Sequence, residues 1–142
     1  MKIRKARINE SQAIRKFEDR AWKEKNITSK YDIANFVRFG HVFVAEDRGK
    51  IVGLICAMET KDGEIYVEEW VVGEKCRGKG IGKHLYNELI KVARKKKILA
   101  FTQLGNKVSI KAHQKLGFKI IKKVEDAYNL GQPRLLMIRE KK

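Results

Sequence analysis

Apolar residues recur along the chain with two different periods, and the changes of period predict its strands and helices. Runs rich in Val and Ile predict strands at 3–8, 41–46, 50–58, 65–72, 98–102, 118–124 and 134–139. Apolar residues three or four positions apart predict amphipathic helices at 11–22, 30–39, 80–96 and 107–116. Ser11 is the expected N-cap of the first helix. Ile81, Leu85, Leu89 and Val92 form the apolar stripe expected in the third helix, and Val108, Ala112 and Leu116 that of the fourth.

The turns between these segments predict how the strands are arranged. Asp47-Arg48-Gly49 and Lys61-Asp62-Gly63 are short turns that join three consecutive strands, which are therefore antiparallel. The helix between strands 65–72 and 98–102 is typical of a crossover that makes its two strands parallel. The sequence thus predicts the α/β (α+β) class, with a mixed, mostly antiparallel central sheet of six to seven strands flanked by about four helices.

Length and composition narrow the class of protein. A chain of 142 residues predicts a single domain over 1–142, and 43% hydrophobic residues exclude a disordered chain. Cys56 and Cys76 belong to no CxxC pair, so we expect no metal site, no disulfide framework and a reducing, cytoplasmic compartment. The longest apolar run, 51–58, is too short to span a bilayer, and no membrane partner is expected. The excess of 33 basic over 17 acidic residues, +16, favours an anionic ligand or partner.

Three glycines in five residues stand where the strand 65–72 leads into the next helix, in the segment Arg77-Gly78-Lys79-Gly80-Ile81-Gly82-Lys83. Glycine lets the backbone approach a ligand closely, and the first turn of a helix offers free N–H groups that bind phosphate oxygens. The even spacing is not Gly-x-Gly-x-x-Gly, and His84 follows Lys83 where a P-loop has Ser or Thr. A phosphorylated ligand of another kind is favoured, and a loop without a ligand is the alternative.

The segment Arg-Gly-Lys-Gly-Ile-Gly at 77–82, after a strand that ends Val71-Val72, resembles the acetyl-coenzyme A signature of the GNAT superfamily of N-acetyltransferases. Asn106-x-x-Ser109-x-x-x-His113 followed by Leu-Gly-Phe at 116–118 is similar to the second signature of that family, Asn-x-x-Ala-x-x-x-Tyr followed by Leu-Gly-Phe. The resemblance extends from Val42 to Arg139. It implies a sheet that splays between its two central parallel strands.

The resemblance also implies which residues hold acetyl-CoA. The diphosphate lies on the glycine loop, the pantetheine arm lies beside the end of the preceding strand, and an asparagine commonly touches that arm. The positions so implied are Trp70, Val71, Val72, Arg77, Gly78, Lys79, Gly80, Ile81, Gly82, Lys83, Asn106 and Ser109.

Attack on a thioester needs a neutral amine, and a carboxylate can take the proton from the ammonium form. Glu68 and Glu69 lie on the strand that enters the loop, and an alternating strand sends their side chains to opposite faces. We expect Glu68, which shares a face with Tyr66 and Trp70, to be the base, with Glu69 as the alternative. The resemblance implies that the backbone N–H of Val72 stabilises the oxyanion, and that His113, where the family often has tyrosine, is the acid for the leaving thiolate.

The resemblance implies an acetyl-CoA-dependent N-acetyltransferase that acts on a primary amine by direct attack in a ternary complex. The acceptor, a small molecule or a protein, stays open, as do a different acyl-CoA and a monomer or homodimer. The alternative is a basic nucleic-acid-binding or regulatory module with the same fold and little turnover. The basic run 94–97 is compatible with that alternative, but cations at the end of a helix are favoured by the helix dipole.

Overall fold

A computed structural model of the chain describes residues 1–22 and 28–140. Seven strands are present: β1 (Lys2–Lys5), β2 (His41–Asp47), β3 (Lys50–Glu59), β4 (Ile65–Val72), β5 (Ile98–Thr102), β6 (Phe118–Val124) and β7 (Arg134–Arg139). Four α-helices accompany them: α1 (Ser11–Trp22), α2 (Asp32–Phe39), α3 (Ile81–Ala93) and α4 (Lys107–Lys115). Single turns of 3-10 helix are formed by Ile8–Glu10 and Glu74–Cys76.

The strands form one mixed sheet in the order β1-β2-β3-β4-β5-β7-β6. The pairs β1–β2, β2–β3, β5–β7 and β6–β7 are antiparallel, whereas β4 and β5 are parallel. In the parallel pair, Ile65, Tyr66 and Val67 lie opposite residues 98–100. These findings confirm the predicted mixed, mostly antiparallel sheet with about four helices.

The backbone contacts divide the chain into two compact units, and a single domain over 1–142 stays a prediction. The first unit comprises residues 1–58 and 68–92. In it α1 and α2 cover one face of the sheet, where Ile14, Phe17 and Ile33 pack with Val44 and Leu54. Helix α3 covers the other face, where an added Cβ at Gly53 would lie 3.1 Å from Leu85. Because both faces are covered, β2 and β3 are apolar without alternation.

The second unit comprises residues 59–67 and 93–142. Its core contains Ile98 and Ala100 of β5, Phe118 of β6 and Met137 of β7, all buried. The turn at Lys61-Asp62-Gly63 that leads into β4 is present as predicted, and Gly63 has a φ of 77°. The side chain of Thr60 fixes this turn by accepting the backbone N–H groups of Asp62 and Glu64.

Several predicted boundaries differ from the structure. Strand β1 ends at Lys5, and a 3-10 turn follows at Ile8–Glu10, where the Glu10 carboxylate accepts from Arg4 and from the backbone N–H of Arg7. Ser11 is not an N-cap; its φ of −56° and ψ of −38° place it inside the helical region. Helix α3 ends at Ala93 rather than at residue 96, since Arg94 adopts a left-handed φ of 53°.

The apolar stripe predicted for α4 is also wrong. Val108 is 82% exposed, and His113 is the buried residue of this helix. Helix α4 ends at Lys115, where residues 107–116 were predicted to be helical. Gly117 follows the helix with a φ of 95°. A glycine with a positive φ commonly ends a helix in this way.

Candidate functional site

The glycine loop between β4 and α3 has an open, left-handed backbone. Gly78 and Gly80 have φ values of 78° and 81°, a region that favours glycine. An added Cβ at either position would meet no protein atom within 4 Å, so the space beside the loop is open. The loop therefore has both an exposed glycine backbone and the open space that a ligand needs to approach it closely.

The same segment leaves a row of hydrogen-bond donors free. In the described part of the chain, no backbone N–H from residues 78 to 83 has an acceptor, and the first bond of α3 runs from His84 N to Gly80 O. These donors lie at the N-terminus of a 13-residue helix, where the helix dipole favours negative charge. Lys79 and Lys83 are exposed on the same segment. This arrangement can bind the oxygens of a phosphate or diphosphate.

The third glycine has a different, structural role. An added Cβ at Gly82 would lie 3.1 Å from the indole of Trp70, whose Nε1 donates to Gly82 O at 3.0 Å. The Trp70 ring also meets Tyr86 edge to face, at 4.7 Å between centroids. The side chains of Val71 and Ile81 are buried in the first unit. At Gly82, Val71 and Ile81, therefore, only the backbone is left to contact a ligand.

The backbone N–H of Val72, at the end of β4, points away from β3. The N–H of the next residue, Gly73, donates to Val52 O at 2.8 Å, and successive backbone groups of a strand point to opposite edges. The carbonyl of Val72 instead accepts from Arg77 Nε at 3.0 Å. The parallel register of β4 with β5 ends at Val67, five residues before Val72.

Glu68 lies four residues before Val72 and is exposed, on the face of β4 that carries Trp70. Partial desolvation by the surrounding protein raises the pKa of Glu68 above its ordinary value, and the nearby charge of Asp32 on α2 adds to this. A raised pKa makes the carboxylate a better proton acceptor for an ammonium group.

Glu69 points to the opposite face and is only 6% exposed. Its Oε2 accepts Trp22 Nε1 at 2.6 Å, and its carboxyl is hydrogen-bonded to Glu18, whose Oε1 accepts the Thr28 hydroxyl at 2.7 Å. Burial, followed by the hydrogen bond and charge of Glu18, raises the pKa of Glu69 to about 9. Glu69 is therefore a protonated core residue at neutral pH. Its burial agrees with the prediction that at most one of the two glutamates faces outward.

Three predicted site residues lie on or next to α4, in the second unit. Asn106 is the N-cap of α4, since its Oδ1 accepts Ser109 N at 3.1 Å. This capping role accounts for the Asn-x-x-Ser spacing without a ligand, and it leaves the amide Nδ2 of Asn106 available. The expected contact of Asn106 and Ser109 with the pantetheine arm stays a prediction.

His113 is 4% exposed and packs edge to face on Phe118, with 5.0 Å between ring centroids. Its Nδ1 lies 2.8 Å from Ser109 O, and because a carbonyl only accepts, Nδ1 carries the hydrogen. Burial lowers the pKa of His113, and the bond to Ser109 opposes this in part. In the neutral ring Nε2 is then an acceptor, so only the charged form could give a proton to a thiolate. The role of His113 as the acid stays a prediction.

The structure brings Glu68, Val72 and the loop residues 77–83 together in the first unit, whereas Asn106, Ser109 and His113 belong to the second. The sequence analysis missed Glu18, which is 1% exposed, and its link to Glu69. A signal was present, because Glu18 lies within the apolar stripe of α1, four residues after Ile14.

Residues 1–22 and 28–140 offer neither a metal site nor a membrane span. These residues contain no cluster of three or more His, Cys, Asp or Glu side chains suited to a metal ion. None of the helices described here has the length and apolar character needed to cross a membrane.

A comparison with protein families matches residues 9–118 to the Acetyltransferase (GNAT) family, and the chain therefore belongs to that family. The resemblance seen in the sequence is thus confirmed. No curated protein matches the chain.

Among solved structures, Ard1 from Thermoplasma volcanium is similar at a TM-score of 0.85 and 18% identity, over 99% of this chain and 97% of that one. Aminoglycoside 6′-acetyltransferase type Ii has a TM-score of 0.82 and 21% identity, over 99% and 97%. Arabidopsis thaliana Naa50, in complex with the bisubstrate analogue CoA-Ac-MVNAL, has a TM-score of 0.80 and 18% identity, over 98% and 97%. At these identities the likeness shows a shared GNAT-like fold.

Proposed function

We propose that this GNAT family member is an N-acetyltransferase that moves the acetyl group of acetyl-CoA to a primary amine within a ternary complex. The observation that carries the proposal is the glycine loop, with unpartnered N–H groups from 78 to 83 beside open space at Gly78 and Gly80. A similar structure holds a CoA-containing bisubstrate analogue, which supports the choice of acyl donor.

The residues of the loop fit the diphosphate of coenzyme A. Backbone N–H groups, the helix dipole and the charges of Lys79 and Lys83 all favour a dianionic group, and no carboxylate of residues 77–83 opposes it. Arg77 contributes differently, because its Nε is bonded to Val72 O and holds the end of β4 to the loop. Bound at this loop, acetyl-CoA supplies an acetyl thioester, which is activated toward attack by nitrogen.

Glu68 and Val72 supply the two functions that the transfer needs from this chain. Glu68 accepts the proton that the ammonium group must lose, directly or through a water, so that the amine nitrogen can form a bond to the acetyl carbon. The Val72 N–H donates to the carbonyl oxygen as negative charge develops on it. The carbon–sulfur bond then breaks, and coenzyme A leaves with the electron pair. The amide nitrogen loses its second proton to solvent.

Three expectations stay open beside this proposal. His113 is kept outside the proposed proton path, because its hydrogen-bonded Nδ1 and its lowered pKa favour a neutral ring without a free donor. The cytoplasmic location and the oligomeric state stay predictions. No observation favours the alternative of a nucleic-acid-binding module.

Binding of acetyl-CoA to the loop is tested with a matched pair of glycine variants. Gly80→Ala and Gly63→Ala each put a Cβ on a left-handed residue, with φ of 81° and 77°, where no protein atom lies within 4 Å. Both changes carry the same backbone strain, of order 1 kcal/mol, but only the first fills the space beside the loop. At an acetyl-CoA concentration of 100 times Kd, the parent protein and Gly63→Ala should gain about 2.7 kcal/mol in unfolding free energy.

We expect Gly80→Ala to lose most of that gain. Equal ligand stabilisation of the two variants, or none in the parent protein, would contradict the proposal. Turnover is tested by release of free coenzyme A thiol over a panel of primary amines. Glu68→Gln should lower kcat and weaken its dependence on pH, while the stabilisation by acetyl-CoA persists.

A further inference from the structure

The indole of Trp70 on β4 is attached to the first turn of α3. Its Nε1 donates to the carbonyl oxygen of Gly82 at 3.0 Å. In an α-helix this oxygen also accepts the N–H four residues later, and its two lone pairs allow both bonds. The same ring meets Tyr86 edge to face, at 4.7 Å between centroids, and Tyr86 is fully buried. The indole is therefore held against the core while it bonds to the helix.

The contact with Trp70 leaves no room for a side chain at Gly82. An added Cβ there would lie 3.1 Å from Cζ2 and 3.3 Å from Nε1 of the indole, so an alanine would displace the ring. At Gly78 and Gly80 an added Cβ meets no protein atom within 4 Å. Of the three glycines in the loop, Gly82 is thus the one that another part of the chain approaches closely.

The Trp70 bond reaches the free donors of the glycine loop through one peptide unit. The carbonyl of Gly82 and the N–H of Lys83 belong to the same peptide bond, which is planar and trans, so they point in opposite directions. Fixing this carbonyl on the indole therefore fixes the direction of the Lys83 N–H. That N–H is the last in the row 78–83 that has no acceptor among the described residues. A hydrogen bond at the carbonyl also polarises the peptide and strengthens its N–H as a donor.

The rest of the loop depends on anchors at its ends. Gly78 and Gly80 border open space, and glycine has the largest conformational freedom of any residue. The buried side chain of Ile81 places one residue, and Arg77 Nε bonded to Val72 O holds the start of the loop. Ordering a flexible segment on binding costs free energy, so an anchor that is in place before the ligand arrives raises affinity.

Resting on the acetyl-CoA site proposed above, we infer that Trp70 is a positioning residue, whose indole N–H holds the peptide between Gly82 and Lys83 so that the Lys83 N–H is aimed at the diphosphate of the donor. The hydrogen of the indole is the essential part, because a phenylalanine ring can still pack on Tyr86 but cannot donate. Trp22 offers a matched control. It is the other tryptophan of the chain, and its Nε1 donates to Glu69 instead.

The test measures the Kd of coenzyme A by calorimetry for the parent protein, Trp70→Phe and Trp22→Phe, below the unfolding temperature of each. Both substitutions remove one indole N–H, but only that of Trp70 is bonded to α3. We expect Trp70→Phe to bind coenzyme A about fivefold more weakly, as the loss of one hydrogen bond gives. Trp22→Phe should bind it as the parent protein does. Equal Kd values for Trp70→Phe and the parent protein overturn the inference.

A second variant removes the donor while it keeps the shape of the ring. The chain has two tryptophans, so in the Trp22→Phe background biosynthetic incorporation of β-(3-benzothienyl)alanine replaces Trp70 alone. A sulfur atom then stands where the N–H was, and it cannot donate. We expect the same weakening of coenzyme A binding as in Trp70→Phe, and unchanged binding overturns the inference even if Trp70→Phe does not fold.

Gly82→Ala tests whether Trp70 acts through Gly82. The added Cβ displaces the indole, so this change should weaken binding by itself, and Trp70→Phe should cause no further weakening in its presence. Weakening by the two changes that adds up would mean that Trp70 acts by another route, and it overturns the inference. Failure of the proposed function is distinguished, because the parent protein then binds no coenzyme A, whereas failure of the inference leaves that binding intact.

Discussion

Replacing Glu69 with glutamine should stabilise the folded protein at neutral pH, although it alters a hydrogen-bonded core residue. Burial and the adjacent Glu18 carboxyl raise the pKa of Glu69 from an ordinary 4.5 to about 9. The folded state therefore keeps a proton on Glu69 between these values, whereas the unfolded state loses it. The amide of Gln resembles the protonated acid: its oxygen can accept from Trp22 Nε1 and its nitrogen can donate to Glu18.

The sign and size of the effect follow from proton linkage. Where the folded state binds one proton more than the unfolded state, the unfolding free energy falls by about 1.4 kcal/mol per pH unit. From pH 4.5 to pH 7 this accumulates to about 3 kcal/mol, an upper value because Glu18 shares the proton. Glutamine has no proton to lose, so Glu69→Gln should be free of this loss.

The assay is urea unfolding of the parent protein, Glu69→Gln and the control Glu68→Gln, at pH values from 5 to 8.5. The stability difference between Glu69→Gln and the parent protein should be near zero at pH 5 and should grow with pH. Glu68→Gln, which changes the exposed neighbour on the opposite face, should show a much smaller trend. A Glu69→Gln curve that runs parallel to that of the parent protein would refute the reasoning, because the proton would then not be retained on folding.

Three further predictions concern single contacts. Arg4 binds Glu10 at 2.7 Å and holds the pKa of that carboxyl at about 2. Arg4→Met should therefore lower the unfolding free energy by about 1 kcal/mol at pH 7, measured by urea unfolding. As the pH falls from 4.5 to 2, the variant should lose less further stability than the parent protein. Asn106→Ala should lower the unfolding free energy by about 1 kcal/mol in thermal denaturation, and Asn106→Asp should restore it. His113→Gln should lower the melting temperature but keep the shape of the kcat profile from pH 7 to 8, because burial lowers the pKa of His113 and its Nδ1 is bonded to Ser109 O. A profile that loses a limb in this variant would make His113 the acid.

The sequence predicts the strands well because strand periodicity and turn chemistry are local. Strands β4, β5, β6 and β7 have the predicted bounds, and Arg48 and Gly49 in the first hairpin have the positive φ values that a tight turn needs. Helix ends are predicted less well, since a single backbone angle decides them. The left-handed Arg94 that ends α3 has no local signature, and Arg is not a residue that favours this conformation.

In the candidate site, too, features set within one segment are predicted, whereas contacts between distant segments are not. The glycine loop is predicted from spacing alone, because its open backbone depends on Gly78 and Gly80 themselves. The separate role of Gly82 depends on Trp70, twelve residues earlier, and the burial of Glu69 depends on Glu18 in another helix. Spacing within one segment cannot supply such contacts. They are set by the packing of α1 and α3 on opposite faces of the sheet.

Strand β4 and the loop after it order opposite charges along one line of backbone, and under the function proposed above this order explains how a strongly basic protein acts on an ammonium substrate. Glu68 lies four residues, or about 13 Å along a strand, before Val72, and the basic loop follows within a few residues more. Under the proposed function, the loop holds the anionic donor, and the amine approaches Glu68 at the other end of the same segment. The net charge of +16 reflects the loop and the rest of the surface, whereas an amine beside Glu68 meets the local field of that carboxylate.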